Sequence, residues 1–130
     1  MWNDADKTIF DIFDLLNRND RAPLKCPVCG KKDAHLYMYR WKEKKNGSIW
    51  VWCSQCKASC HERVQLPDWW KNATVIDDNL LGVHPDMLDE NKQFVDAYLN
   101  LLLKDIYPNE LTQEKMKRQY HEAKYTDKDI

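Results

Sequence analysis

Four of the five cysteines fall into two CxxC pairs, Cys26-Pro-Val-Cys29 and Cys53-Ser-Gln-Cys56. Soft thiolates suit zinc, and a CxxC turn lets both of its sulfurs point at one ion, so two such turns can supply four tetrahedral corners. Twenty-three residues separate Cys29 from Cys53, slightly more than the roughly 15–20 usual between such pairs, and a hairpin would fill that gap. Gly30 follows the second thiol and frees the backbone to turn its amides toward sulfur. The expectation is therefore one structural Zn2+ on Cys26, Cys29, Cys53 and Cys56. A redox reading of CxxC calls for a βαβ context that is missing here. Four thiolates close the coordination shell, whereas a catalytic zinc keeps an open position. Cys60, His35 and His61 could also ligate, but packing or surface roles are expected of them. Binding on the order of 10 kcal/mol would hold together a module too small to fold on its apolar core alone.

The elements that position these thiols can be read from pattern. From His35 to Lys42 aromatic and aliphatic residues alternate, and Ser48–Trp52 reads as a second strand. Asn46-Gly47 between them is the dipeptide of a type I′ hairpin turn. That turn sets Lys45 opposite Ser48, Glu43 opposite Trp50 and Trp41 opposite Trp52, with Tyr39, Trp41, Trp50 and Trp52 on one face. A third strand is predicted over His61–Leu66, ended by Pro67.

Helices are predicted on both sides. Ile9, Ile12, Phe13 and Leu16 recur at intervals of three and four, predicting an amphipathic helix over 4–19 with Asp4 at its cap. After a polar connection over 67–88, residues 89–107 carry the widest apolar stripe, closed by Pro108, and Thr112 is placed to cap a last helix. The resulting class is α+β, one domain over 1–130. It comprises a zinc ribbon at 24–66, flanked by the N-terminal helix and by a helical hairpin at 89–124, with a frayed tail at 125–130.

The chain has 130 residues, 43% hydrophobic and 32% charged, a composition for a soluble folded chain. Its longest aliphatic run, Leu101–Leu103, falls far short of the roughly 20 residues a membrane span needs. No secretory signal pattern opens the chain and the thiols suit a reducing compartment, so a cytoplasmic location and no membrane partner are expected. The net charge of −1 conceals an asymmetry. Residues 1–20 carry −3. Eleven Lys/Arg against four Asp/Glu give residues 21–71 a charge of +7, nearer +5 once four thiolates and a divalent ion are counted. Residues 72–130 carry −5.

CPVCG, a hairpin and CSQC together resemble the zinc-ribbon superfamily over roughly residues 24–66. The run GSIWVWCSQC followed by LPDWW is similar to small bacterial cytoplasmic proteins, some of which are immunity partners of polymorphic or contact-dependent inhibition toxins. That resemblance implies a non-enzymatic protein that binds a toxin encoded by a neighbouring gene, and no specific binding residue follows from it. On charge, the acidic flanks would speed encounter with a cationic partner, through Asp77, Asp78, Asp86 and Glu90, with Trp69 and Trp70 as anchors. The alternative is a nucleic-acid face made of Arg40, Trp41, Lys44, Lys45 and Trp50, where cations interleave with stacking rings; the sequence pI near 6.4 argues against a dedicated nucleic-acid domain. GxSxG, HExxH and phosphate-loop motifs are all missing, so no enzymatic mechanism can be built.

Overall fold

Three strands, β1 (Ala34–Arg40), β2 (Asn46–Cys53) and β3 (Ser59–Gln65), form an antiparallel sheet in the order β1-β2-β3. Three helices follow: α1 (Asp86–Glu90), α2 (Lys92–Leu103) and α3 (Glu110–Lys128). The computed structural model describes residues 2–4, 7–12, 21–42 and 45–128, with side chains through Tyr120. The α+β class and the three-stranded antiparallel sheet are as expected.

The strand register differs from the one the Asn46-Gly47 dipeptide implies. Arg40 pairs with Gly47, Tyr37 with Trp50 and His35 with Trp52, so Trp41 and Trp52 are not neighbours. Asn46 and Gly47 belong to β2, and neither has a left-handed φ. The connection instead runs through residues 41–45, closed by the Trp41 amide donating to the Asn46 carbonyl at 3.2 Å; Glu43 and Lys44 lie outside the described residues. Gly47 is needed for another reason: a Cβ there would sit 2.0 Å from the Tyr39 carbonyl oxygen and 2.5 Å from Leu66 Cδ1.

The register shift is six residues, an even number, so side-chain parity survives it. Tyr39, Trp50 and Trp52 still share a face, joined there by His35 and Tyr37. This face meets the connection and α2: Trp70 packs edge-on to both Tyr37 and Tyr98, and the Tyr37 hydroxyl accepts from the Ala73 amide at 3.1 Å. The opposite face carries Leu36, Met38, Ile49 and Val51, all fully buried. A 3-10 turn over Lys7–Phe10 contacts β2 and β3 there, with Lys7 paired to Glu62. With both faces covered, most of β1 is buried, and alternation along it is between two cores and not between core and water.

Of the predicted helix over 4–19, the described residues show the 3-10 turn Lys7–Phe10 followed by α-helical Asp11 and Ile12, with residues 5 and 6 outside the described residues. Residues 13–20 lie outside the described residues. Asn3, next to the expected cap Asp4, bridges to Ala58 in parallel, alongside the start of β3. At the other end, α2 stops at Leu103, short of Tyr107, where Asp105 turns left-handed at φ 61° and its amide and that of Ile106 return to the Leu102 and Leu101 carbonyls. Asn109 takes the capping role assigned to Thr112, its side chain accepting from the Thr112 amide at 2.8 Å. No helix among the described residues is long and apolar enough to cross a membrane.

Candidate metal centre

The two CxxC segments fold into two knuckles with matching backbone bonds. In the first, the Gly30 amide donates to the Cys26 carbonyl at 2.9 Å, and the Cys26 amide to the Lys31 carbonyl at 2.8 Å. In the second, the Lys57 amide donates to the Cys53 carbonyl and the Cys53 amide to the Ala58 carbonyl, both at 3.0 Å. Each knuckle needs a left-handed residue straight after its second cysteine, Gly30 at φ 81° and Lys57 at φ 66°. An L side chain pays for that conformation, which is why glycine favours it.

The sheet brings the knuckles together. Ala34, which opens β1 just after the first knuckle, pairs with Cys53, which ends β2 and opens the second. All four sulfurs then lie within 4.8 Å of one another, with Cys26 to Cys56 at 3.8 Å and Cys29 to Cys53 at 3.7 Å. Tetrahedral Zn–S bonds of about 2.3 Å put sulfurs about 3.8 Å apart, so the donor set fits one tetrahedral ion of that size. A disulfide would need about 2.05 Å.

The four thiols differ in environment. Cys26 and Cys53 are buried, Cys56 is half-buried and Cys29 is exposed. The Lys31 amide beside the Cys29 sulfur pulls that thiol down to about 7, whereas burial pushes Cys53 up to about 12 and raises Cys56. A divalent ion would displace all four protons, and the Val28 amide, donating to Cys26 Sγ at 3.3 Å, offsets some of the thiolate charge. Cys60 lies outside this set. It pairs with Val51 in the sheet and is buried, its thiol raised to about 11 by that burial and by Glu62.

A polar network that the sequence did not announce ties the second knuckle to the helices. Ser54 Oγ donates to Asp89 Oδ1 at 2.5 Å, and Trp52 Nε1 donates to the same oxygen at 3.1 Å. Gln55 donates to Asp33 Oδ2 at 2.8 Å. Asp33 also meets His35 Nε2 at 2.7 Å, and His35 Nδ1 meets Asp96 of α2 at 2.7 Å. His35 is 1% exposed, and because both of its nitrogens face carboxylate oxygens, each contact requires a proton of its own. Burial pushes the Asp33 carboxyl up, but the Gln55 and His35 hydrogen bonds outweigh it and leave it below the usual range. Burial of Asp96 wins, and its carboxyl is raised. The one hint in the sequence is a charge, Asp96, set beside Phe94 and Val95 in the apolar stripe of α2.

The remaining candidate residues separate into surface and interior. Asp77, Asp78, Asp86 and Glu90 are exposed. Trp69 is half-buried and Trp70, at 1% exposure, is a core residue and not an anchor for a partner. Of the proposed nucleic-acid face, Trp50 is buried, stacked on His61 at 4.6 Å with Nε1 donating to the Gly82 carbonyl. Arg40 is turned inward as well, donating to the carbonyls of Pro67 at 2.8 Å and Trp70 at 3.2 Å. Trp41 remains partly exposed under Arg63, Lys45 is exposed, and Lys44 lies outside the described residues. No protein-family profile, curated protein or solved structure matches this chain.

Proposed function

We propose that the chain is a non-enzymatic, zinc-stabilised protein-binding module of the zinc-ribbon type that acts as an immunity protein, covering a functional face of a basic toxin made by a neighbouring gene. The ion is zinc in a structural role, because four thiolates match its preference and leave no corner open for a reacting water. One observation carries the binding reading: four exposed carboxylates, Asp77, Asp78, Asp86 and Glu90, lie on a stretch from Asn72 to Asn91 that contains no lysine or arginine. Such a surface attracts a cationic protein at a distance and repels a nucleic-acid backbone. The nucleic-acid alternative is weakened by the internal engagement of Arg40 and Trp50, which takes away one of its cations and one of its stacking rings.

The test is co-expression with the adjacent reading frame. Rescue of growth, together with a stable complex whose association slows when Asp77 and Asp78 are changed to lysine, is the expected result. Tight binding of a single-stranded oligonucleotide, abolished by Lys44→Glu with Lys45→Glu, would overturn it in favour of the alternative.

A further inference from the structure

Between Asp77 and Asp86 the chain forms a loop that displays two aliphatic side chains. Leu80 is 62% exposed and Val83 61%. Single exposed leucines are ordinary on protein surfaces, but this pair is held in place by three aromatic donors from other parts of the molecule. The Tyr39 hydroxyl donates to Asp78 Oδ2 at 2.8 Å, Trp50 Nε1 to the Gly82 carbonyl at 2.7 Å, and Trp2 Nε1 to Asp86 Oδ1 at 2.7 Å. Asp77 caps the short 3-10 helix Asp78–Leu80, and Leu81 turns back against the core. Leu80 and Val83 therefore sit between fastenings at 78, 82 and 86, displayed on an ordered loop. A partner would gain their burial without ordering the loop first.

The charges around the pair select the partner. Asp77, Asp78, Asp86 and Glu90 flank it in the chain. The basic groups nearby among the described residues are Lys57, which lies over the Trp2 ring and shares a shallow cleft with Asp86, Asp89 and Glu90, His84 beside Asp4, and, before Asp77, Lys117 and Arg118 of α3, Lys117 spent on the Val75 carbonyl at 3.0 Å and both sharing a cleft with Glu110 and Glu114. A second exposed apolar group among the described residues, Ile106 and Tyr107 between α2 and α3 with Leu111 in the first turn of α3, has Lys71, Lys104, Asp105 and Glu110 close by in space or sequence, with no net preference for either sign. We infer that Leu80 and Val83 are the anchor pair of a docking surface for a cationic protein segment, one that offers an apolar recess flanked by lysine or arginine. This inference rests on the protein-binding reading above and assigns it a surface.

Random peptides displayed on phage can be panned against the metal-loaded full chain, and the enriched peptides then synthesised and titrated by fluorescence anisotropy. Wild type is expected to enrich peptides that combine Lys/Arg with apolar residues, with affinity falling as salt rises. Leu80→Asp with Val83→Asp should weaken them about tenfold or more, and Leu111→Asp should leave them unchanged. The aspartates add negative charge, so attraction by charge alone would make the double variant bind more tightly. Enriched peptides that bind the double variant as well as wild type would overturn this surface while leaving the protein-binding reading intact. Enrichment of no basic peptide at all would overturn both.

Discussion

Gly30 and Lys57 are structural equivalents, each the left-handed residue through which a knuckle turns its amide back to the carbonyl of its first cysteine. The equivalence is invisible in residue type, one having no side chain and the other a long charged one. It makes their substitutions asymmetric. Gly30→Val should cost about 1–2 kcal/mol, the penalty of a left-handed L residue, aggravated by β-branching. Lys57→Gly should stay within about 0.5 kcal/mol of wild type, since relief of the same penalty offsets the added freedom of the unfolded chain. Thermal melts of the metal-loaded proteins measure both.

Gly47→Ala should destabilise the sheet by about 1–3 kcal/mol, because the new methyl would meet the Tyr39 carbonyl oxygen. Asn46→Ala, at an exposed strand position, should change stability by less than about 0.5 kcal/mol. A type I′ turn at these residues would predict a cost at Asn46 too, so urea denaturation of the two variants distinguishes the registers.

One cobalt ion per chain should bind with the absorption of tetrahedral thiolate coordination, and Cys60→Ser should bind it as wild type does. Cys26→Ser, Cys29→Ser, Cys53→Ser and Cys56→Ser should each lose affinity and alter the spectrum. Chelation should cost most of the sheet signal in circular dichroism, since the ion joins the two segments whose proximity sets the strand pairing.

His35→Phe should cost about 3 kcal/mol or more, because it strands Asp33 and Asp96 without their shared partner. Asp96→Asn should cost less, as its amide oxygen still accepts from His35 Nδ1. The pair also carries a pH signature. The folded pKa of Asp96 is raised, so its contribution to stability is fully present below the unfolded value of about 3.9 and is lost as pH climbs through the raised one. Asp33 has the opposite sign: its depressed folded value gives stability above about 3.9 that is lost as pH falls through it. Melting curves between pH 3 and 7 should show wild type gaining on Asp96→Asn as pH falls from neutral.

The four clustered cysteines, the hairpin between them and the third strand were legible in sequence because each rests on local chemistry: thiols separated by two residues, and β-branched and aromatic runs bounded by turn residues. The strand register was not, because two local signals competed. Pairing through an Asn46-Gly47 turn would set Cys53 opposite Arg40 in place of Ala34, sliding the second knuckle six residues along the strand, roughly 20 Å from the first. The structure keeps the cysteines together and gives up the favoured turn. Tertiary packing alone decided the rest. Arg40 reads as a surface cation by residue type, and nothing local says what Trp50 and Trp70 pack against, yet the connection after β3 engages Arg40 and Trp50 and α2 meets Trp70. His35 acquired the second of its two carboxylates, Asp96, because α2 packs on β1; the first, Asp33, is two residues away in the chain. Residue type and spacing determine which groups can coordinate or pair, whereas burial depends on what the chain folds over them, and that information lies in contacts between residues far apart in the chain.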